Sequence, residues 1–274
     1  MKIIAEIGQQ HDGSLIDAFA YVRAVHAAGA DAVKFQCHVP EFESSCDEQF
    51  REGTFHPEDV NRFAYWHRTG FRAHEWQALS RYAREWGLEF GASVFCSQAV
   101  GLMRDLVDFW KVPSGEWDNQ LLHQELAHTD QPIYLSLGMS PGAWYSHGSL
   151  CIPDEVLEVL DLGRITPMWC VSEYPCPPEA LDLRVVGPGC GLSDHSGSNV
   201  PALLAAFKSA PAAEVHVCWH KSQLQPDTAS AITVDQLGNL VHAVRWVERL
   251  GACPEPDQRR AERHLAYRVG RRRC

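Results

Sequence analysis

The sequence predicts an α/β protein built as a single (β/α)8 (TIM) barrel, and three observations favour this fold class. The chain has 274 residues, close to the usual length of such barrels. Short apolar runs alternate with helical patterns, which favours a parallel sheet with helical crossovers. Polar residues follow directly after many of the apolar runs, where a barrel places its functional site.

The first strand and helix carry the clearest local signals. Residues 3–7 form an apolar run that predicts a buried strand, and Ser14 is a suitable N-cap for the following helix. Apolar residues from Leu15 to Val25 recur with a helical period, and Gly29 predicts the end of this helix. A second strand is predicted at 32–35.

The remaining elements continue the alternation. Further strands are predicted at 88–94, 109–112, 133–137, 165–171, 190–192 and 212–218. Further helices are predicted at 73–86, 98–107, 120–128, 154–160, 201–209 and 234–250. The segment 38–70 after the second strand is too long for an ordinary connection, which predicts either a functional loop over the barrel mouth or a disordered excursion. We predict one barrel domain at 1–252 and a charged tail at 253–274.

Composition excludes several classes of function. The net charge of −11 argues against a nucleic-acid footprint. The chain starts with a strand-like run, and no apolar stretch is long enough to span a membrane, so we expect a cytoplasmic protein without a membrane partner. The ten cysteines are scattered without a Cys-x-x-Cys pair, so free thiols are expected.

Two histidines are the candidate metal ligands. His195 follows one predicted strand and His216 lies in the next, so both belong at neighbouring strand C-termini. Two neutral imidazoles there would hold a divalent metal and leave positions open for water or substrate. With 14 histidines in the chain, a structural role for either one stays open at this point.

Other polar residues fall at the same predicted rim, and they are rich in lysines and hydroxyls. They are Glu6, Lys34, Gln36, Ser93, Lys111, Ser114, Glu116, Ser136, Ser172, Tyr174 and Ser193. Such a set suits a phosphorylated, carboxylated small molecule, because ammonium groups offset its charge and hydroxyls bind its oxygens. Glu6 and Glu116 are either general acids or bases, or partners of the lysines.

Eight motifs carry a family resemblance. They are AEIG at 5–8, HDG at 11–13, GADAVKFQ at 29–36, KVPSGE at 111–116, LSLGMS at 135–140, CVSEYP at 170–175, GLSDH at 191–195 and EVH at 214–216. In this order and spacing the chain resembles the barrel domain of the N-acetylneuraminate (sialic acid) synthase family. That family condenses phosphoenolpyruvate with an N-acetylated sugar to give a nonulosonic 2-keto acid and phosphate.

The resemblance implies a role for each matched residue. His195 and His216 match the manganese ligands, and Glu6 matches the acidic residue near the reacting carbon. Phosphoenolpyruvate positions are matched by Lys34, Ser93, Lys111, Ser114, Ser136, Ser172 and Ser193. Positions that contact the sugar or order the site are matched by Gln36, Glu116, Tyr174 and Asp227.

Several departures leave the sugar acceptor open. The family usually has Thr where this chain has Leu137, Pro where it has Val94, and often Asn where it has Ser172. Many members also carry a C-terminal antifreeze-like domain that reaches the partner's site, and the chain is expected to stop near where that domain would begin. A homodimer is therefore possible rather than implied.

Two other functions stay open from the residues alone. One is a metal-dependent keto-acid aldolase or lyase on the same barrel, with Schiff-base chemistry at Lys34 or Lys111. The other is a non-catalytic barrel that binds a sugar or a phosphate. The combination of Glu6 with both lysines and both histidines favours an enzyme.

Overall fold

The computed structural model describes residues 1–48, 59–141 and 151–250. Its principal strands are β1 (Lys2–Gly8), β2 (Ala32–Cys37), β3 (Glu89–Val94), β4 (Phe109–Val112), β5 (Ile133–Ser136), β6 (Ile165–Trp169), β7 (Gly191–Asp194) and β8 (Ala212–Cys218). Each is parallel to the next in chain order, and β8 pairs with β1. The predicted closed (β/α)8 barrel is therefore confirmed. A two-residue strand, β9 (Ile232–Thr233), extends β8 beyond the barrel.

The helices lie mainly between successive strands. They are α1 (Leu15–Ala28), α2 (Pro40–Glu43), α3 (Arg62–Thr69), α4 (Ala73–Glu85), α5 (Ser97–Met103), α6 (Gln120–Ala127), α7 (Asp154–Leu157), α8 (Val200–Phe207) and α9 (Val234–Leu250). As predicted, Ser14 caps α1 by accepting a hydrogen bond from the Asp17 amide, and Gly29 ends it with φ of 80°. Within the described residues, no helix is both long enough and apolar enough to cross a bilayer.

The long segment after β2 contains two helices in its described part, α2 and α3. The predicted sixth strand is shorter than expected and ends at Trp169. Beyond that point the Val171 carbonyl accepts a hydrogen bond from the His195 side chain, so it no longer serves a strand ladder. The predicted tail at 253–274 lies outside the described residues, and the domain boundary at 252 stays a prediction.

Two apolar clusters form the core of the part of the chain that the structure describes. The larger one lies between the outer helices and the outward side chains of the strands. The smaller one fills the barrel interior near the strand N-termini and consists of Ile4, Ala32, Phe109, Tyr134, Met168 and Ala212. Gly91 makes room for this plug, since a Cβ atom there would lie 2.1 Å from the Phe109 ring. The barrel interior is thus filled near the strand N-termini, which leaves room for a cavity at the strand C-termini.

Candidate active site

A cavity of about 430 Å³, counted together with the open solvent space at its mouth, lies at the C-terminal rim of the barrel. Most of the predicted residues line it, namely Glu6, Lys34, Gln36, Ser93, Lys111, Ser114, Ser136, Tyr174, Ser193, His195 and His216. Two others contact this set: the Ser172 hydroxyl lies 2.7 Å from that of Ser114, and Asp227 contacts both Gln36 and His216. Glu116 does not line the cavity, and its carboxylate accepts a hydrogen bond from Asn119 at 2.8 Å.

Glu214 is the buried anion that organises the two lysines. Its Oε1 lies 3.2 Å from Lys111 Nζ and 3.6 Å from Lys34 Nζ. Burial opposes its charge, but the two ammonium groups more than offset that cost and lower the pKa of Glu214 to about 2. For Lys34 burial is likewise outweighed by Glu214 and Glu6, so the pKa of this ammonium is raised. The Glu214 carboxylate and the Lys34 ammonium group are therefore both charged at neutral pH.

Glu6 is the second carboxylate of this network. One of its oxygens lies 2.6 Å from Lys34 Nζ, and the other accepts a hydrogen bond from Gln36 at 3.0 Å. Burial raises the pKa of Glu6, and the nearby negative charge of Glu214 adds to this shift, although Lys34 opposes it. The two buried carboxylates thus differ in basicity, which suits Glu6 better than Glu214 for holding or releasing a proton.

His195 is held in one orientation by two hydrogen bonds. Its Nδ1 donates to the Val171 carbonyl at 2.7 Å, so its Nε2 accepts from the Tyr174 hydroxyl at 2.9 Å. The Tyr174 ring also stacks on the imidazole, with centroids 4.1 Å apart. Burial, together with the neighbouring His216, lowers the pKa of His195 to about 3. This imidazole is therefore neutral, with its Nε2 lone pair directed away from the backbone.

His216 faces His195 at a centroid distance of 5.4 Å. Its Nδ1 lies 3.3 Å from Asp227 Oδ2. Burial lowers the basicity of this imidazole, but Asp227 outweighs burial, so the pKa of His216 is raised. The pKa of Asp227 is correspondingly lowered, because the imidazole outweighs the effect of burial on the carboxylate.

The two histidines fit a metal site in which the protein supplies only two ligands. An Nδ1 bonded to a carbonyl leaves Nε2 as the ligating atom, which is the usual arrangement of a metal-bound histidine. The Tyr174 hydroxyl, from which His195 Nε2 accepts a hydrogen bond in this structure, would have to release that nitrogen when a metal binds. Among the described residues, no group of three or more histidine, cysteine or acidic side chains is placed to hold a metal. A metal between His195 and His216 would therefore take its remaining ligands from water or substrate.

Hydroxyl groups line the side of the cavity next to the lysines. Ser193 lies 3.2 Å from Lys111 Nζ, and Ser93 accepts a hydrogen bond from Lys34. The Ser136 hydroxyl is buried and has no hydrogen-bond partner within the described residues. An unpaired buried hydroxyl is costly unless a ligand completes it. With two ammonium groups nearby, an anionic ligand would complete it best.

Among the described residues, sequence analysis missed four that line the cavity: Phe95, Pro113, Cys170 and Glu214. A signal for Glu214 was present, because it lies two positions before His216 on a predicted strand and must face the same side. Phe95, Pro113 and Cys170 lie just after the ends of strands. There the two-residue period of a strand no longer predicts which way a side chain points.

A closed barrel with buried, oppositely charged groups at its C-terminal rim defines the class: this is a (β/α)8-barrel enzyme. The model of the NeuB family matches residues 21–253. The chain therefore belongs to the NeuB family.

Individual relatives agree with this assignment. The chain is 29% identical over 266 residues to an N-acetylneuraminate-9-phosphate synthase of Homo sapiens, covering 92% of this chain and 71% of the relative. It is 29% identical to a pseudaminic acid synthase of Helicobacter pylori, covering 89% of this chain and 73% of the relative. An N-acetylneuraminic acid synthetase structure from Leptospira borgpetersenii superposes with a TM-score of 0.73 at 20% identity, covering 99% of this chain and 92% of that one. This last similarity shows the fold.

Proposed function

We propose that the protein condenses phosphoenolpyruvate with an aldose, such as an N-acetylated hexosamine, to give a nonulosonic 2-keto acid and phosphate. The observation that carries the proposal is the pairing of Lys34 and Lys111 around a single buried carboxylate, Glu214, in one cavity with two histidines. The names of the family relatives, which are synthases of such acids, support the same reaction.

The lysine side of the cavity suits phosphoenolpyruvate. This substrate carries a phosphate and a carboxylate, and Lys34 with Lys111 would offset part of that charge. The phosphate and carboxylate oxygens would accept hydrogen bonds from the hydroxyls of Ser93, Ser114, Ser136, Ser172 and Ser193. Ser136, which has no partner in the described residues, would gain one on binding. Fixed donors of this kind also stabilise charge that develops during reaction.

The histidine side suits the aldehyde of the sugar. His195 and His216 would hold a divalent metal, for which we propose Mn²⁺, and this metal would polarise the aldehyde oxygen as a Lewis acid. Tyr174, Gln36 and Asp227 surround the same end of the cavity and are proposed to contact the sugar or order the site around it.

The proposed reaction forms a carbon–carbon bond first. C3 of phosphoenolpyruvate attacks the aldehyde carbon, and the aldehyde oxygen becomes the hydroxyl of the product. C2 then carries positive charge, which Glu6 would stabilise at close range. Water adds to C2, and one of its protons goes to the oxygen that came from the aldehyde. The C2 hydroxyl of this intermediate then loses its proton as the C2–O bond to phosphate breaks, which leaves the keto group and free phosphate. Glu116 is retained as a predicted catalytic residue, although it lies outside the cavity lining.

The lysine contacts disfavour the Schiff-base alternative. Such chemistry needs a neutral amine as the nucleophile. Lys34 and Lys111 both contact Glu214, and the pKa of Lys34 is raised. Both lysines are therefore better suited to bind an anion than to attack a carbonyl group.

The test is phosphate release from phosphoenolpyruvate and a panel of aldoses in the presence of Mn²⁺. We expect release with at least one N-acetylated hexosamine, and a product mass equal to the sum of pyruvate and that sugar. ¹⁸O placed in the bridging position of phosphoenolpyruvate should leave with the phosphate, because the C–O bond breaks. Lys111→Met should abolish release, and Lys208→Met, at a lysine outside the cavity, should not. A lysine adduct trapped by borohydride, without phosphate release, would contradict the proposal.

A further inference from the structure

A buried histidine outside the cavity lining connects the long segment after β2 to the active site. His38 follows β2 directly, and its side chain is only 3% exposed. Its Nδ1 lies 2.6 Å from Glu43 Oε2, and its Nε2 lies 3.3 Å from Gln36 Oε1. The three side chains form a continuous line of contacts from α2 to the barrel rim.

The amide of Gln36 has only one suitable orientation in this line. Its Nε2 lies 3.0 Å from Glu6 Oε1 and 3.3 Å from Asp227 Oδ2. The Asp227 carboxylate can only accept a hydrogen bond, so the nitrogen end of the amide must face these two acids. The amide oxygen therefore faces His38 and needs a hydrogen from the His38 Nε2.

Glu43 fixes the other side of the His38 ring. Its Oε1 accepts a hydrogen bond from the Val39 amide at 2.7 Å, and the Cys96 thiol lies 3.4 Å from the same oxygen. With Oε2 placed 2.6 Å from His38 Nδ1, the carboxylate also needs a hydrogen from that nitrogen. Both ring nitrogens of His38 thus face acceptor oxygens, one on Glu43 and one on Gln36, and contact with both as a donor requires a hydrogen on each nitrogen.

Aromatic rings enclose the His38 imidazole. Trp66 from α3 stacks on His38 with centroids 4.1 Å apart and an interplanar angle of 12°. Phe95, which lines the cavity, stacks at 4.2 Å and 22°. Rings stacked on both faces hold the plane of the His38 ring in place. The orientation of His38 is therefore set by four neighbours, and only one of them, Gln36, is among the predicted site residues.

Gly8 indicates that the position of the Gln36 amide is built into the fold. This glycine has φ of 54°, a conformation that other residues rarely adopt. A Cβ atom there would lie 3.1 Å from Gln36 Nε2 and 3.2 Å from Asp227 Oδ2. The backbone of β1 thus leaves room for the amide at the point where it bridges the two acids.

We propose that His38 and Glu43 are positioning residues that orient the Gln36 amide between Glu6 and Asp227. Through this relay the segment after β2 sets the geometry of the acidic side of the cavity. The relay itself does not depend on which substrate is bound, but its effect on turnover rests on the proposed function.

The first test needs no substrate. In protein labelled with ¹⁵N-histidine at neutral pH, the relay requires that one of the imidazole signals with both nitrogens protonated disappears in His38→Phe. Glu43→Gln keeps the shape of the side chain and removes its charge, so the same signal should move to that of a neutral ring. A neutral His38 in the wild-type protein would overturn the relay.

The second test is kinetic. His38→Phe preserves the stacked ring but removes both donors, so kcat should fall roughly tenfold to hundredfold, as for other lost supporting hydrogen bonds. KM for phosphoenolpyruvate should change little, because the lysine side is untouched. In a Gln36→Leu background His38→Phe should cause no further loss. An equal loss in both backgrounds would show that His38 does not act through Gln36 and would overturn the proposal.

A matched control lies in the same segment. His67 contacts Glu41 at 3.0 Å, but both side chains are about half exposed and neither lines the cavity. His67→Phe should therefore leave kcat unchanged, and a loss equal to that of His38→Phe would overturn the assignment. If no aldose supports phosphate release by the wild-type protein, the proposed function fails, while the histidine signals still decide whether the relay exists.

Discussion

The two ends of the barrel interior are built from the same strands but have opposite chemistry. The plug near the strand N-termini is apolar and almost entirely closed to solvent. Two positions further along the same strands, the side chains carry most of the buried charge. The pairs are Ile4 and Glu6, Ala32 and Lys34, Phe109 and Lys111, Tyr134 and Ser136, and Ala212 and Glu214. Inward positions recur every second residue along each strand. One inward layer therefore forms the apolar plug, and the next inward layer supplies the charged side chains of the cavity.

The charged layer depends on its own pairing in a way that the plug does not. Burying an ammonium or carboxylate group is costly unless an opposite charge and hydrogen bonds compensate for it. Here Glu214 compensates two lysines at once. The plug gains its stability from apolar contact instead, so each of its residues acts more independently. Substitutions in the charged layer should therefore affect both stability and activity, whereas substitutions in the plug should affect stability alone.

The largest effect is expected from Glu214→Ala. This change leaves two buried ammonium groups without their shared partner, so it should lower the free energy of unfolding by about 3–5 kcal/mol. It should also abolish phosphate release, because the lysines lose their position. Urea denaturation and the phosphate assay measure the two effects. Glu214→Gln, which keeps the hydrogen-bond acceptor, should be less destabilising, and an Ala variant as stable as wild type would refute the role of Glu214.

The importance of Glu214 also shows where sequence reasoning reaches its limit. Strand and helix periods predicted the barrel, and strand-end positions predicted that Lys34 and Lys111 would meet. The strand period placed Glu214 on the same face as His216 but gave it no role, because its partners come from β2 and β4 and the pairing distances across the barrel follow only from the structure. His38 was missed for a related reason: its function depends on the direction of hydrogen bonds, which no residue pattern encodes.

A comparable loss of stability without loss of activity is expected in the plug. Phe109→Ala removes a fully buried ring that packs edge-on against Tyr134 at 5.2 Å. The free energy of unfolding should fall by about 3 kcal/mol, from lost burial and the cavity left behind. KM and kcat at a temperature where the protein stays folded should remain at wild-type values. A change in KM would mean that the two layers are mechanically coupled.

A smaller effect, and one that depends on pH, is expected at His11, which lies in the loop after β1 at the mouth. Burial lowers the pKa of His11 to about 3. The unfolded chain, with a usual histidine pKa of about 6.5, binds the proton more readily, so this contribution to stability is complete above that pH and is lost as pH falls. Between pH 7 and 5 the loss should be about 2 kcal/mol.

His11→Asn should remove this part of the pH dependence. In the wild-type protein the Gly13 amide donates a hydrogen bond to His11 Nδ1 at 3.1 Å. The Asn side chain would still offer an acceptor to this amide. Urea denaturation of both proteins at pH 7 and pH 5 gives the difference. Phe109→Ala should lower stability equally at the two pH values, because the plug contains no group that titrates in this range. Equal slopes for His11→Asn and wild type would show that His11 does not contribute.

The smallest effect is expected from Glu89→Gln, at the opposite end of the barrel from the site. Lys2 and Glu89 contact each other at 2.6 Å, the same distance as Lys34 and Glu6 at the mouth. Their side chains are 27% and 43% exposed, whereas those of the mouth pair are 1% exposed. Water screens the exposed pair, so the loss in unfolding free energy should be no more than about 1 kcal/mol. If Glu89→Gln were as damaging as Glu214→Ala in urea denaturation, burial would not be what distinguishes the two ends.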